Sequence, residues 1–372
     1  MRNYLLFLQL ILLTVISLAQ HTGDHYLLIG TYTTTPYDGI EVYDYNSLNG
    51  QFKFIGKTAT KNPSYLAVSP DKKYVYSVTE AGQPNGGGVV AYAFDMQNGS
   101  LTPINHQTSM GNSTCYVSVH SSGKYVAAGN YSSGNLVYYS TNADGSLNPP
   151  LNIKHEGSGP VKGRQDAPHV HAAVFSPDNK FLMVPDLGID KVMIYPLDAS
   201  GNLQANKASF VKLAPGAGPR HIDFHPNGKW AYLMEELSGN MTALSYTKGK
   251  LTVINSVNGY PAEYKGQYGS ADVHVSTDGK FVYGSNRGES NTIGIFRIDQ
   301  KSGKVALIGT QSVLGLTPRN FNFDPTGNRL LVANQNSNEV VVFDINRETG
   351  LLNDNGTRLS VSKPVCLKWI KK

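Results

Sequence analysis

Charge is scarce in this chain. Only 16% of its 372 residues are Asp, Glu, Lys or Arg, against about a quarter in ordinary globular proteins. The net charge of +5 is spread without any basic run longer than two residues, so nothing in it offers a nucleic-acid footprint. There are two cysteines, Cys115 and Cys366, which excludes a disulfide-built scaffold and any zinc site of Cys-pair type. Heptads and a Gly triplet period are missing, so coiled-coil and collagen architectures are excluded. With 10% aromatics the composition is not that of a disordered chain. Beyond the first twenty residues no segment is long and apolar enough to span a bilayer.

Those twenty residues form a unit of their own. Arg2 supplies a positive start, Tyr4 to Leu18 is apolar but for Gln9, Thr14 and Ser17, and Ser17-Leu18-Ala19 places small residues before Gln20. This is the pattern of an export signal, residues 1–19, with no Cys for lipid attachment. The mature protein is then expected to be exported, periplasmic or secreted, with residues 20–372 as one domain that no longer touches the membrane.

What the chain has in abundance is Gly (38), Tyr (22) and a repeat. A short alternating strand, a turn of Ser or Pro, Asp or Asn, Gly or Lys, and an aromatic opening a second strand recur six times. The first and fourth copies are Tyr65-Leu-Ala-Val-Ser-Pro-Asp-Lys-Lys-Tyr74 and His221-Ile-Asp-Phe-His-Pro-Asn-Gly-Lys-Trp230. Their closing residues are Tyr74, Tyr125, Phe181, Trp230, Phe281 and, departing from the aromatic rule, Arg329. The steps between them are 51, 56, 49, 51 and 48 residues. Period-2 alternation and Asp-Gly or Asn-Gly turns mark hairpins, and two further strands follow each. Four strands in about fifty residues make one propeller blade.

The chain ends supply a seventh blade. Pro364–Ile370 reads as a first strand after which the chain stops, His25–Gly30 as a second strand with no first, and Gly39–Tyr45 as a third. The expectation is an all-β, seven-bladed propeller closed by its C-terminal strand. Cys115 and Cys366 then lie on innermost strands of the second and seventh blades, with the first blade between them. That is too far apart for a disulfide, so two buried free thiols are expected.

Hairpin register also predicts a site. Residues entering the first strand and leaving the second of each hairpin must meet at one mouth of the central channel. Ten residues before the closing position stand Ser64, Cys115, His171, Arg220, Ala271 and Arg319; one later stand Tyr65, Tyr116, Ala172, His221, Asp272 and Asn320. Six after it stand Glu80, Tyr131, Leu187, Glu236, Arg287 and Gln335. Asp186 and Glu235 fall in the column just before that one. Arg220, Arg287 and Arg319 can grip a carboxylate, phosphate or developing oxyanion, while His171 and Glu236 are candidates for general acid and base. Singly, His169, His221 and His274 read as structural or solvated groups; as cluster members, His169, His221, Arg319 and Asp186 are candidate substrate contacts. His169-Val-His171 with Asp186 could offer a metal arm, but no metal motif is complete and no cofactor is expected. No Gly-x-Ser-x-Gly elbow supports a serine nucleophile, and Gly86-Gly87-Gly88 reads as a turn.

Taken together, Pro168-His-Val-His171, Val184-Pro-Asp-Leu-Gly188, Gly218-Pro-Arg-His221 with Glu235-Glu236, Gly284-Ser-Asn-Arg287 and Pro318-Arg-Asn320 resemble the lactonase family of seven-bladed propellers. That family includes propeller-type 6-phosphogluconolactonases and a carboxy-cis,cis-muconate cyclase. The resemblance implies active-site roles for His171, Arg220, Glu236 and Arg287, and hydrolysis of a small-molecule sugar lactone to its acid. A muconate-type cyclase and a non-catalytic exported binding propeller are the alternatives. An export signal sits oddly with a phosphorylated sugar made in the cytoplasm, so the natural lactone stays open, as does the oligomeric state.

Overall fold

The computed structural model describes residues 23–82 and 86–372; the export segment expected at residues 1–19 lies outside the described residues. The described residues form seven four-stranded antiparallel sheets, each laid out strand by strand from the channel outwards. Six take consecutive strands, blade 1 starting at Leu66–Val68 and blade 6 ending at Leu352–Ser360. The seventh is composite: Pro364–Lys371 pairs with His25–Thr31, followed by Gly39–Asn46 and Gln51–Ala59. The ring therefore closes as the sequence predicts, His25 opposite Lys371. Helical structure among the described residues is limited to two 3-10 turns, Leu187–Ile189 and Ala205–Lys207.

Why the closing position favours an aromatic becomes clear from its neighbour. The ring of Trp230 in blade 4 lies over Gly303, in the outermost turn of blade 5, where φ is +74° and an added Cβ would sit about 2.6 Å from the indole. The same pairing sets Tyr125 over Gly201 and Phe281 over Gly350. Arg329 breaks the rule chemically but not geometrically. Its guanidinium covers Gly50 and donates to Tyr45 Oη and Ser47 O. Buried tyrosines add a staple between blades: Tyr76 Oη donates to Gly145 O at 3.0 Å, Tyr232 to Gly303 O at 3.1 Å and Tyr283 to Gly350 O at 2.7 Å. Around these contacts apolar clusters fill each seam, as where Tyr232, Met234 and Ala243 meet Val273, Val282 and Phe296. Such a ring tolerates few charges because the two middle strands of each blade are covered on both faces, as Phe281–Asn286 and Arg329–Asn334 are, while only the outermost strands are largely exposed.

Both cysteines are free and buried. Burial pushes the thiols up to about 12 at Cys115 and about 11 at Cys366, so neither is a nucleophile at neutral pH.

Candidate active site at one mouth of the channel

The innermost strands carry an irregularity that sets the site. In blades 2, 4 and 6 the ladder slips one residue, between Thr114 and Tyr116, Pro219 and His221, and Pro318 and Asn320. Cys115, Arg220 and Arg319 are left unpaired on the bulges. Blade 7 passes over Val365 in the same way, and blade 5 slips between Ser270 and Val273. A bulge bends the strand and re-aims the extra side chain. Here it turns the column that begins with Ser64 towards the ends of the second strands, where Glu80, Tyr131, Glu236 and Arg287 wait.

Glu236 is the hub. Its Oε2 accepts from Arg220 Nε and from Arg287 NH2, both at 2.9 Å, and its Oε1 from Arg164 NH2 at 2.5 Å. Burial opposes its ionisation, but Arg287, Arg220 and Arg164 outweigh it and bring the carboxyl down to about 2. The adjacent Glu235 points elsewhere, accepting from Ser238 Oγ and Thr242 Oγ1 at 2.6 Å each. Arg220 is fully enclosed and also donates to Ala271 O at 2.8 Å. Desolvation, then repulsion from Arg287 and Arg319, pulls it down to about 10. Arg287 is tied by Nε to Gly269 O at 2.9 Å and by NH2 to Ser270 O at 3.2 Å.

Arg319 is held differently. Its guanidinium lies 5.2 Å over the Tyr32 ring, and among the described residues it makes no ion pair. The Tyr32 hydroxyl donates to Glu80 Oε2 at 2.8 Å, and Ser64 Oγ to the same oxygen at 2.5 Å. Glu80 is thereby hydrogen-bonded by neutral groups, and although burial opposes the charge on Arg319, Tyr32 and Glu80 nearby hold its guanidinium above the ordinary arginine range.

His171 is buried beside these cations, with Nδ1 3.7 Å from Cys115 Sγ and its ring edge-on to Tyr131 and His221. Desolvation first, and then Arg220, His221 and Arg319, hold it well below the usual histidine range. It is a neutral imidazole at pH 7. His169 stacks flat on Tyr131, ring centroids 4.4 Å apart, and its Nδ1–H donates to Tyr131 O at 2.8 Å.

His221 belongs to a chain running down the channel. Its Nδ1 donates to Asp272 Oδ1 at 2.7 Å, and its Nε2 lies 3.3 Å from Arg220 NH1. Burial, then Arg220, lowers it to about 4 despite Asp272. The other Asp272 oxygen accepts from His274 Nε2 at 3.1 Å and from the Asn320 amide.

Six of the eight site residues expected from sequence thus have side chains at this mouth: His171, Arg220, Glu236 and Arg287, with His221 and Arg319. His169 stands beside them through Tyr131. Asp186 does not face a ligand. It is fully buried, accepting from His169 N at 2.7 Å, Gly188 N at 3.0 Å and His155 Nδ1 at 2.7 Å; its work is to hold the segment that carries the two histidines. With Asp186 engaged in this way, the metal arm loses its third member. Among the described residues no group of three or more His, Cys, Asp or Glu is arranged to hold a metal ion.

The residue that sequence reasoning missed is Arg164. It comes from the connection between blades 2 and 3, outside every hairpin column. The clue was the longest step of the repeat, the 56 residues from Tyr125 to Phe181, because extra length in a propeller connection must lie over one face.

Fold and site together define a propeller with an arginine-rich cluster at one end of its channel, suited to a small molecule that carries or develops negative charge. The model of the seven-bladed β-propeller lactonases matches residues 26–369, and the chain belongs to that family. It is similar to the 6-phosphogluconolactonase of Bacillus subtilis, 39% identical over 92% of this chain and 97% of that one. The 6-phosphogluconolactonase of Formosa agariphila is also 39% identical, over 88% and 94%. Among solved structures, the periplasmic gluconolactonase of Pseudomonas aeruginosa superposes with a TM-score of 0.88 at 35% identity, covering 93% of this chain and 99% of that one.

Proposed function

We propose that the protein hydrolyses the ring ester of a sugar δ-lactone to the open aldonic acid at the Arg220–Arg287–Arg319 mouth. The observation that carries this reading is a buried neutral imidazole, His171, standing among guanidiniums one of which, Arg319, makes no ion pair among the described residues. Water attacks the lactone carbonyl carbon and gives a proton to His171. The oxyanion is met by preorganised guanidinium donors, which need no reorientation as charge develops. Collapse breaks the bond to the ring oxygen, which takes the proton back from His171, and the product is a hydroxy acid. Glu236, at about 2, is too weak a base for the task and instead fixes Arg220 and Arg287. The choice between His171 and Glu236 as base therefore falls on the histidine.

The export signal read in residues 1–19 is the ground on which this reaction is proposed to take place outside the cytoplasm, and a relative described as a periplasmic gluconolactonase supports that reading. The test is hydrolysis of glucono-δ-lactone and 6-phosphogluconolactone by residues 20–372, with the spontaneous rate subtracted. Arg220→Ala should lower turnover by about 10²–10³-fold, the usual loss for an oxyanion donor. A folded wild type that turns over neither lactone, while binding sugar acids, would make this a binding propeller.

A base whose protonation lies well below 6.5 also predicts the pH profile. The imidazole is unprotonated above its folded pKa, so kcat/KM should stay level from pH 8 to below 6.5 and decline only further into acid. A half-maximal rate near pH 6.5 to 7 would remove His171 from this role.

A further inference from the structure

Three guanidiniums share Glu236, but they are not alike. Arg220 and Arg287 have side chains only 2% and 17% exposed, and both are pinned to backbone carbonyls as well. The Arg164 side chain is 42% exposed, and its single ion pair is the one to Glu236 Oε1. Its other donors reach no backbone carbonyl among the described residues, its remaining partner being the Tyr131 hydroxyl.

The backbone beneath it is nonetheless fixed. Gln165, next in sequence, is fully buried. Its Nε2 donates to Leu187 O and to Asp190 Oδ1, both at 2.7 Å, and its Oε1 accepts from Val161 N at 3.1 Å. Arg164 N and Gln165 N both donate to Val161 O, at 3.0 and 2.8 Å. The loop is thus a rigid mount, bolted to the 3-10 turn of blade 3, that holds one long, loosely tied cation over the site. Should that cation leave, Glu236 keeps Arg220 and Arg287 on Oε2 and remains a paired carboxylate.

We infer that Arg164 is the specificity-determining residue for lactones bearing an anionic substituent. Its guanidinium exchanges the Glu236 carboxylate for the charged group of the incoming sugar, while Arg220 and Arg287 stay in place for the reaction. A fork of parallel N–H donors suits a phosphate or carboxylate, and the transfer replaces one anion by another without stranding either charge. This rests on the lactonase reading for its kinetic consequence but not for its binding consequence.

The experiment therefore has two parts, run on wild type, Arg164→Ala and Arg164→Lys, with thermal melts to establish that each variant is folded. In the first, the ratio of kcat/KM for 6-phosphogluconolactone over glucono-δ-lactone should fall at least tenfold in Arg164→Ala, chiefly through KM. Arg164→Lys should recover part of it, as a point charge without the fork. In the second, calorimetry with 6-phosphogluconate and gluconate should show the phosphorylated acid losing at least tenfold more affinity than gluconate in Arg164→Ala. An unchanged ratio and equal losses for both acids would overturn the inference, as would a wild type that binds neither acid. A wild type without turnover whose preference for 6-phosphogluconate still depends on Arg164 would sustain the inference and sink the lactonase reading.

Discussion

Replacing Glu236 by Gln should cost the protein both its turnover and several kcal/mol of stability. The carboxylate is the shared partner of Arg220, Arg287 and Arg164, and a neutral amide leaves two enclosed guanidiniums facing each other without a counter-charge. Breaking a buried pair by removing one partner costs about 3–5 kcal/mol, and here one removal breaks several pairs. Arg220, already driven down to about 10 by desolvation and its neighbours, would be displaced from the position it needs for the oxyanion. Urea unfolding and lactone hydrolysis measured on the same preparation check this. A variant with wild-type midpoint and rate would show that Glu236 holds nothing. The same carboxylate makes stability depend on acid. Its folded pKa of about 2 lies below the ordinary value of 4.5, so its contribution is complete above pH 4.5 and is lost as the pH falls towards 2. Glu236→Gln should remove that part of the acid sensitivity.

Deleting residues 364–372 should abolish the folded state. Val365, Cys366, Leu367 and Ile370 of that strand are buried, and each large apolar side chain withdrawn from water is worth about 1.5–3 kcal/mol. Bonds to the neighbouring blade go with them: Leu367 N to Asn320 Oδ1 at 2.8 Å, Asn322 Nδ2 to Leu367 O at 3.0 Å, and Trp369 Nε1 to Phe323 O at 2.7 Å. The sum approaches the entire stability of a typical protein, about 5–15 kcal/mol, and the cut also bares the ladder edge of His25–Thr31. The truncated chain should be insoluble or melt without cooperativity. Trp369→Phe, which loses one hydrogen bond and keeps the strand, should melt cooperatively a few degrees below the full chain. A truncation that melted like the full chain would show that the ring does not depend on its closing strand.

Much of this was legible because a propeller repeats its arithmetic. The six closing residues located six hairpins, and the unpaired strands at the two ends located the seventh blade. The columns brought His171, Arg220, Glu236, Arg287 and Arg319 to one mouth before any coordinate was known, since hairpin register fixes which residues are neighbours. Asp186 shows the limit of that reasoning. A column states where a backbone lies but not what its side chain bonds, and His155, which takes one Asp186 oxygen, belongs to no column. Arg164 shows a second limit: a connection has no register, so its reach over Glu236 could not be read from spacing. The weakness of Glu236 as a base was also out of sight, because it depends on three guanidiniums gathered from three separate connections and strands.

The slipped ladder of the innermost strands has a consequence for how such a protein can change. Cys115, Arg220, Arg319 and Val365 occupy the same bulge in four blades: a thiol, two cations and a hydrocarbon on one backbone. The ring has in effect tried three kinds of side chain at one position within a single chain, and the hydrogen-bonded rungs on either side persist through all of them. Chemistry and scaffold are thereby uncoupled residue by residue. An altered substrate would demand new side chains at points where the sheet makes no claim on their identity, so the catalytic repertoire of this architecture can be rewritten one bulge at a time.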